Sequence, residues 1–298
     1  MAVEGVIFTQ IVDMNWDQAI YTASPNNTIN VAQFAAKGSG ANIGIALTPK
    51  GTGFISAQVP DGTTAGGNAR GGYSVDLQRL RNGVAQVASG AGSCLVGGEQ
   101  NTASGTYAFA GGLANTASGQ YGFAYGVTSQ ATSQGSVGIG MTAVASGIGS
   151  FASGMSSLAN VAGMRSHGFA SGVQKVSVCF TAKTTTDSLV ELLVSLTAQR
   201  FVLPTNTAML GLLQILGTKT DGTAFAKYTR QVSIRRTGST TQLFGAVETV
   251  GVDEAAGTSI SVSADDVNES LKVEAAGVAA ENWAWAAVFS GVLKTMTY

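Results

Sequence analysis

His167 is the single histidine of the chain, and that alone narrows the chemistry available to it. A Ser-His-Asp relay would have to pass through it, and no G-x-S-x-G elbow accompanies it. Zinc sites need several His or Cys at short spacing. Cys94 and Cys179 are instead far apart and lie in segments of different character, so they read as buried small thiols rather than a disulfide. Glycine-rich phosphate loops are absent. Asp187, Glu191, Asp221, Asp253 and Glu254 are candidates for a glycosidase pair, but their spacing selects no two of them. Asp265, Asp266, Asn268 and Glu269 offer oxygen ligands without the spaced loop that calcium requires, and read as a hairpin tip. The chain is therefore expected not to be an enzyme and to carry no cofactor or metal.

Residues suited to binding concentrate near the C-terminus. Trp283 and Trp285, with Phe289, fall on one face of a strand. Surface indoles stack on sugar rings, although the same spacing also builds a core or a subunit interface. Tyr228, Arg230, Arg235 and Arg236 are residue types that make interface hot spots. Trp283, Trp285, Tyr228, Arg230, Arg235 and Arg236 are the candidate receptor-binding set.

The elements that hold them are read from composition and period. Of the 298 residues 45% are hydrophobic and only 11% charged, with a net charge of −1 and 40 glycines. Mean hydropathy is +0.23. A disordered chain would be more charged and less apolar. A nucleic-acid surface would need clustered Lys and Arg, so none is expected as a partner. No 18-residue apolar window reads as a membrane-spanning helix. The start, Met1-Ala2-Val3-Glu4-Gly5, shows no secretory leader.

Self-similarity then organises the middle of the chain. Gly98, Gly112, Gly126, Gly140, Gly154 and Gly168 recur every 14 residues, each preceded at nine positions by Ser89, Ala103, Ala117, Ala131, Ala145 or Ala159. Three positions before the glycines stand Leu95, Phe109, Phe123, Val137 and Phe151, then Arg165. Large and small residues alternate, as in Tyr107-Ala108-Phe109-Ala110, which is the period of a strand. Asn-Thr-Ala-Ser-Gly at 101–105 and 115–119 supplies turn chemistry. Each unit is thus one coil of a β-solenoid, and six coils stacked at about 4.8 Å give a segment of roughly 29 Å. No residue from 100 to 164 is charged, and the coil shows apolar residues on both faces. Side-by-side packing of chains is the simplest way to bury one face, with Leu95, Phe109, Phe123, Val137 and Phe151 as the expected core of the roll and of the contact between chains.

These units resemble the head of trimeric autotransporter adhesins, a left-handed parallel β-roll of three chains, and similar repeats of bacteriophage tail fibres. The resemblance covers about residues 88–172. It implies an all-β homotrimeric fibre with four parts: an N-terminal shaft and virion-attachment segment (1–72), a collar (73–87), the β-roll (88–172) and a C-terminal antiparallel β-sandwich (173–298). The shaft is matched on Ile45-Ala46-Leu47-Thr48-Pro49-Lys50-Gly51 and Pro60-Asp61-Gly62, with Val6-Ile7-Phe8 and Ile20-Tyr21 as docking strands. The collar is expected to form helical turns capped by Ser74. In the last segment alternating runs appear at 176–180, 228–234, 258–264, 271–275 and 283–289, separated by turn signals at Asp221-Gly222, Thr237-Gly238-Ser239 and Ala264-Asp265-Asp266. By resemblance, iron sites of phage fibres use His-x-His, and Ser166-His167-Gly168 supplies one imidazole only.

The function so implied is that of a structural virion protein, assembled in the host cytoplasm. Such a fibre docks on other tail or baseplate proteins through its N-terminus and binds a host surface glycan or protein. A bacterial trimeric adhesin fragment and a polysaccharide-cleaving tailspike are the alternatives.

Overall fold

The computed structural model describes residues 14–19, 31–36, 42, 46–169, 172–194 and 199–296. The expected docking strands at Val6-Ile7-Phe8 and Ile20-Tyr21 lie outside these residues. Met1–Gly51 and Thr52–Tyr298 form two compact units. In the first, Met14–Ala19 pairs antiparallel with Val31–Ala36, Met14 opposite Ala36.

The second unit is a parallel β-solenoid continued by antiparallel strands. Among the described residues every regular element is a strand. One side of the solenoid stacks short strands from Thr102–Ala103 to Leu158–Ala159 in a five-stranded sheet. The other side stacks strands from Ile55–Ser56 through Val75–Asp76, Cys94–Leu95, Phe109–Leu113, Phe123–Val127, Val137–Met141 and Phe151–Met155 to Arg165–Gly168. Residues 73–87 are therefore not helical: Val75–Asp76 is another rung, parallel to its neighbours on both sides. Register advances by 14 residues per rung from Phe109 onward, but Cys94 pairs with Phe109 and Val75 with Cys94, so the earlier coils are longer.

The coil is narrow because its interior is built from small side chains. Ala88, Ala103, Ala117, Ala131, Ala145 and Ala159 form one fully buried row, and Ala110, Ala124 and Ala152 line the opposite wall. A methyl contributes only about 0.8 kcal/mol on burial, so hydrogen bonding carries much of the coil's specificity. The Asn-Thr-Ala-Ser-Gly segments are not simply turns. Thr102–Ala103 and Thr116–Ala117 are strands, and the asparagine before each is fully buried. The Asn115 side chain accepts the Ser129 amide at 2.8 Å and donates to Gly126 O at 2.8 Å, and the Asn115 backbone N–H donates to Asn101 Oδ1 at 2.9 Å. Gln78 continues this interior ladder toward the N-terminus by accepting the Asn101 amide at 2.6 Å. Nearby, Arg70 and Arg81 hold the buried Asp76 carboxylate at 2.7 and 3.0 Å.

The recurring glycines satisfy a backbone requirement. Gly112, Gly126 and Gly140 have φ of +100°, +123° and +135°, and a Cβ on each would overlap the carbonyl oxygen of the next rung's glycine. No other residue meets both constraints.

Leu95 departs from its expected row. It pairs with Ala110, not Phe109, and is fully buried inside the coil. Phe109, Phe123 and Val137 are half-buried and Phe151 is exposed, all on the outer side. One extra residue between Leu95 and Glu99, where Glu99 again bridges Leu113, moves Leu95 to the other side of the sheet. The aromatic row is thus the outer surface of the single chain, while alanine fills the coil.

Beyond the solenoid, Val173–Thr184 joins the edge of the same sheet by pairing antiparallel with Arg165–Gly168. Trp283–Thr295, Thr207–Lys219, Phe225–Thr237 and Thr240–Leu243 follow in that order. A three-stranded sheet of Val190–Glu191, Ser270–Ala276 and Ser259–Asp265 contributes to the same core as this antiparallel part. The C-terminal segment is therefore not cut off from the repeats: one 14-stranded sheet runs through both.

Candidate functional site

The residues singled out for receptor binding fall into two groups. Trp283 and Trp285 are 1% and 2% exposed, stacked on each other with centroids 5.9 Å apart, and Tyr228 beside them is also buried. Trp285 Nε1 donates to Thr184 Oγ1 at 3.0 Å, and Tyr228 shares a hydrogen bond with Thr258. Because their side of the strand faces the core, no platform for a sugar is left on them.

The arginines are nearer the surface but engaged. Arg230 holds Asp253 through two bonds of 2.7 Å and lies over the Tyr228 ring. Arg236 pairs with Glu269 and donates to Leu203 O at 2.8 Å. With the Gln242 carboxamide oxygen turned toward it, Arg235 donates from Nε at 2.9 Å. The structure brings Tyr228, Trp283, Trp285 and Arg230 together as a packing cluster.

Four of the five candidate carboxylates are paired with cations. Glu191 faces Arg200 at 2.8 Å, Asp221 faces Lys219 at 3.3 Å, and Glu254 faces Lys227 at 2.7 Å. The hydrogen bonds of Arg230 hold the Asp253 carboxyl below its usual range, and those of Thr223 do the same for Asp221. A glycosidase acid needs the opposite shift. Asp265 binds the backbone of Val267 and Asn268, as a hairpin tip does. Among the described residues no three His, Cys, Asp or Glu side chains gather to hold a metal ion.

The outer face of the long sheet and the turns along its edge carry exposed apolar and aromatic rows. Register places Cys94, Phe109, Phe123, Val137, Phe151, Arg165, Ser177, Ser290 and Leu212 in one row across it. Phe109 and Phe123 stack with centroids 4.8 Å apart. Leu113, Val127, Met141 and Met155 on the solenoid, and Leu210, Leu212 and Leu216 beyond it, are exposed. The turn before each strand needs a left-handed residue, and Gly92, Gly135, Gly149 and Gly163 supply it at φ of 62–66°. Tyr73, Tyr107 and Tyr121 occupy the same position at 56–59°, where a side chain costs about 1 kcal/mol. Tyr107 and Tyr121 stack 5.8 Å apart and remain 61% and 52% exposed. The sequence signal was present as Tyr107-Ala108 and Tyr121-Gly122, but alternation alone does not separate a turn residue from a strand residue.

No family model matches the chain, and no curated protein matches it. Among solved structures it is similar to the tailspike protein gp49 of Acinetobacter baumannii bacteriophage Fri1, a capsular polysaccharide depolymerase. The identity is 12% and the TM-score 0.30, over 82% of this chain and 44% of that one. The tailspike protein of Acinetobacter baumannii phage AM24 matches at 10% identity and TM-score 0.24, over 80% of this chain and 53% of that one. The tailspike protein of Acinetobacter phage vB_ApiP_P1 matches at 8% and 0.21, over 76% and 55%. The chain spans about half the length of these structures. At such identities the likeness carries nothing about which residues act. The expectation that the chain is not an enzyme is not upheld: the first of these structures is a capsular polysaccharide depolymerase, and the motifs missing from the sequence decide nothing about activity.

Proposed function

We propose that the chain is a bacteriophage tail protein of the spike or fibre kind, homotrimeric, that binds a host surface polysaccharide along its solenoid. In this reading residues 1–72 attach to other tail or baseplate proteins, the repeats form a roll of the trimeric autotransporter type, and residues 173–298 close as a β-sandwich that stabilises the trimer.

The observation that carries the reading is the pairing of two unlike surfaces on one set of coils. The outer sheet face bears apolar rows too large to leave in water, which suits burial against two further copies. The turn edge carries exposed stacked tyrosines, which suit the apolar face of a pyranose while their hydroxyls bond to its rim. A repeating coil presents this chemistry at regular intervals, as a repeating polymer requires.

Light scattering on the purified chain should give three times 30.1 kDa, and Phe123→Asp should abolish that species by placing a charge in a packed row. Retention on immobilised host polysaccharide should weaken at least tenfold in Tyr107→Ala/Tyr121→Ala with the trimer intact. Release of reducing ends from the same polysaccharide tests cleavage. A stable monomer with no retention overturns the proposal.

A further inference from the structure

We infer that the groove where the last solenoid rung meets the antiparallel strands binds an oxyanion, a carboxylate or phosphate group. The inference does not depend on association of copies. The groove has a volume of about 290 Å³ and is lined by Phe151, Ser153, Arg165, His167, Lys175 and Ser177 among others, none of them acidic.

Three observations meet there. Residues 100–164 carry no charge, and the first two charges that follow, Arg165 and Lys175, are both positive. Register sets them side by side on the outer face, with His167 opposite Lys175 and Arg165 opposite Ser177 on paired strands. Second, neither Arg165 nor Lys175 has a hydrogen bond or ion pair among the described residues. Arg200, Lys219, Lys227, Arg230, Arg236 and Lys272 in the following segment each face a carboxylate. Third, the imidazole is fixed: Nδ1 is 2.9 Å from Ser153 Oγ and the ring meets Phe169 edge-on at 4.9 Å. Its Nε2 has no partner among the described residues.

Two positive charges at diagonal positions of paired strands attract an anion, and a guanidinium presents the two parallel N–H groups that carboxylate and phosphate oxygens accept. Ser153 and Ser177 add hydroxyls, and Phe151 supplies an apolar wall. Copies packed through this face would bring several such sets together and increase the need for a counter-anion. The anion has two possible sources of the same chemistry, a free inorganic ion or the acid group of a glycan.

The single histidine makes the test direct. Inorganic phosphate is titrated into the full chain at ionic strength held constant with sodium chloride, while the carbon-bound ring protons of His167 are followed by NMR and binding by calorimetry. Saturable binding, one phosphate per chain, should move the His167 resonances. Arg165→Gln and Lys175→Gln should each weaken it at least tenfold, Arg165→Lys should weaken it less, and Lys272→Gln should leave it unchanged. Displacement of phosphate by a glucuronic-acid oligosaccharide assigns the site to a glycan acid group, and phosphate binding without displacement assigns it to a free anion. His167 resonances that respond to phosphate no differently than to chloride overturn the inference, without any variant having to fold. So does phosphate binding that survives both substitutions.

Discussion

Replacing Asn115 by alanine tests whether the interior ladder holds the coils together. Its side chain, fully buried, accepts the Ser129 N–H at 2.8 Å and donates to the Gly126 and Gly111 carbonyls at 2.8 Å each. Without it the Ser129 N–H is left in a dry interior, which costs about 1–3 kcal/mol, and each lost bond to a carbonyl costs about 1 kcal/mol more. The total is about 3–5 kcal/mol. The variant should still fold, because Ala143 occupies the same row in the native chain. Urea unfolding followed by far-UV circular dichroism gives the difference by linear extrapolation, with an unchanged denaturant slope. Asn115→Ser should recover part of the loss, since Ser129 in that row donates to Gly140 O at 2.9 Å. Gln120→Ala, at an exposed site, is the control and should stay within about 0.5 kcal/mol of the native chain. If Asn115→Ala costs no more than the control, the ladder is not what specifies the coil.

Gly126→Ala should be worse than a cavity variant, because a left-handed φ and overlap with Gly140 O act together; loss of soluble protein or a fall in Tm above 10 °C is expected. Trp285→Phe should cost about 1–2 kcal/mol through the lost bond to Thr184, read by the same urea titration. Asp253, held low by Arg230, stabilises the fold above its unfolded pKa of about 3.9 and loses that contribution as pH falls through its lower folded value. Asp253→Asn should therefore flatten the acid limb of stability against pH. Burial pushes the Cys94 thiol up, so iodoacetamide should label it more slowly than exposed Cys179, and Cys94→Ser should be tolerated.

Much of the solenoid was legible because its period is imposed by the backbone. The glycine at each fourteenth position answers to φ and to contact between rungs, and the alanine row answers to coil width, so both repeat in the sequence. What failed did so where the period changes. Cys94 and Leu95 stand one residue out of the pattern, and a slip of one exchanges inside for outside. Rungs at Ile55 and Val75 belong to longer coils that leave no 14-residue trace, so a helical collar was expected where a strand lies. Thr207–Lys219 gave no strand signal because it is nearly continuous in apolar residues: Met209, Leu213 and Ile215 face the core while Leu210, Leu212 and Leu216 on the other face stay exposed, so few polar residues mark the alternation. The Trp283 and Trp285 pair was correctly placed on one strand face, but which side of a sheet meets water is a tertiary fact. The tyrosine turns and the Arg165–Lys175 groove could be found only once register set the coils side by side.

The central claim, that this chain binds host polysaccharide as part of a phage tail, is tested most directly by competition. The purified chain is added to host cells before the virions, and the rate of adsorption is measured. The account predicts saturable inhibition that disappears when the surface polysaccharide is stripped and is weakened at least tenfold by Tyr107→Ala/Tyr121→Ala. Adsorption that proceeds at the same rate over saturating protein, on cells whose polysaccharide is intact, would contradict it.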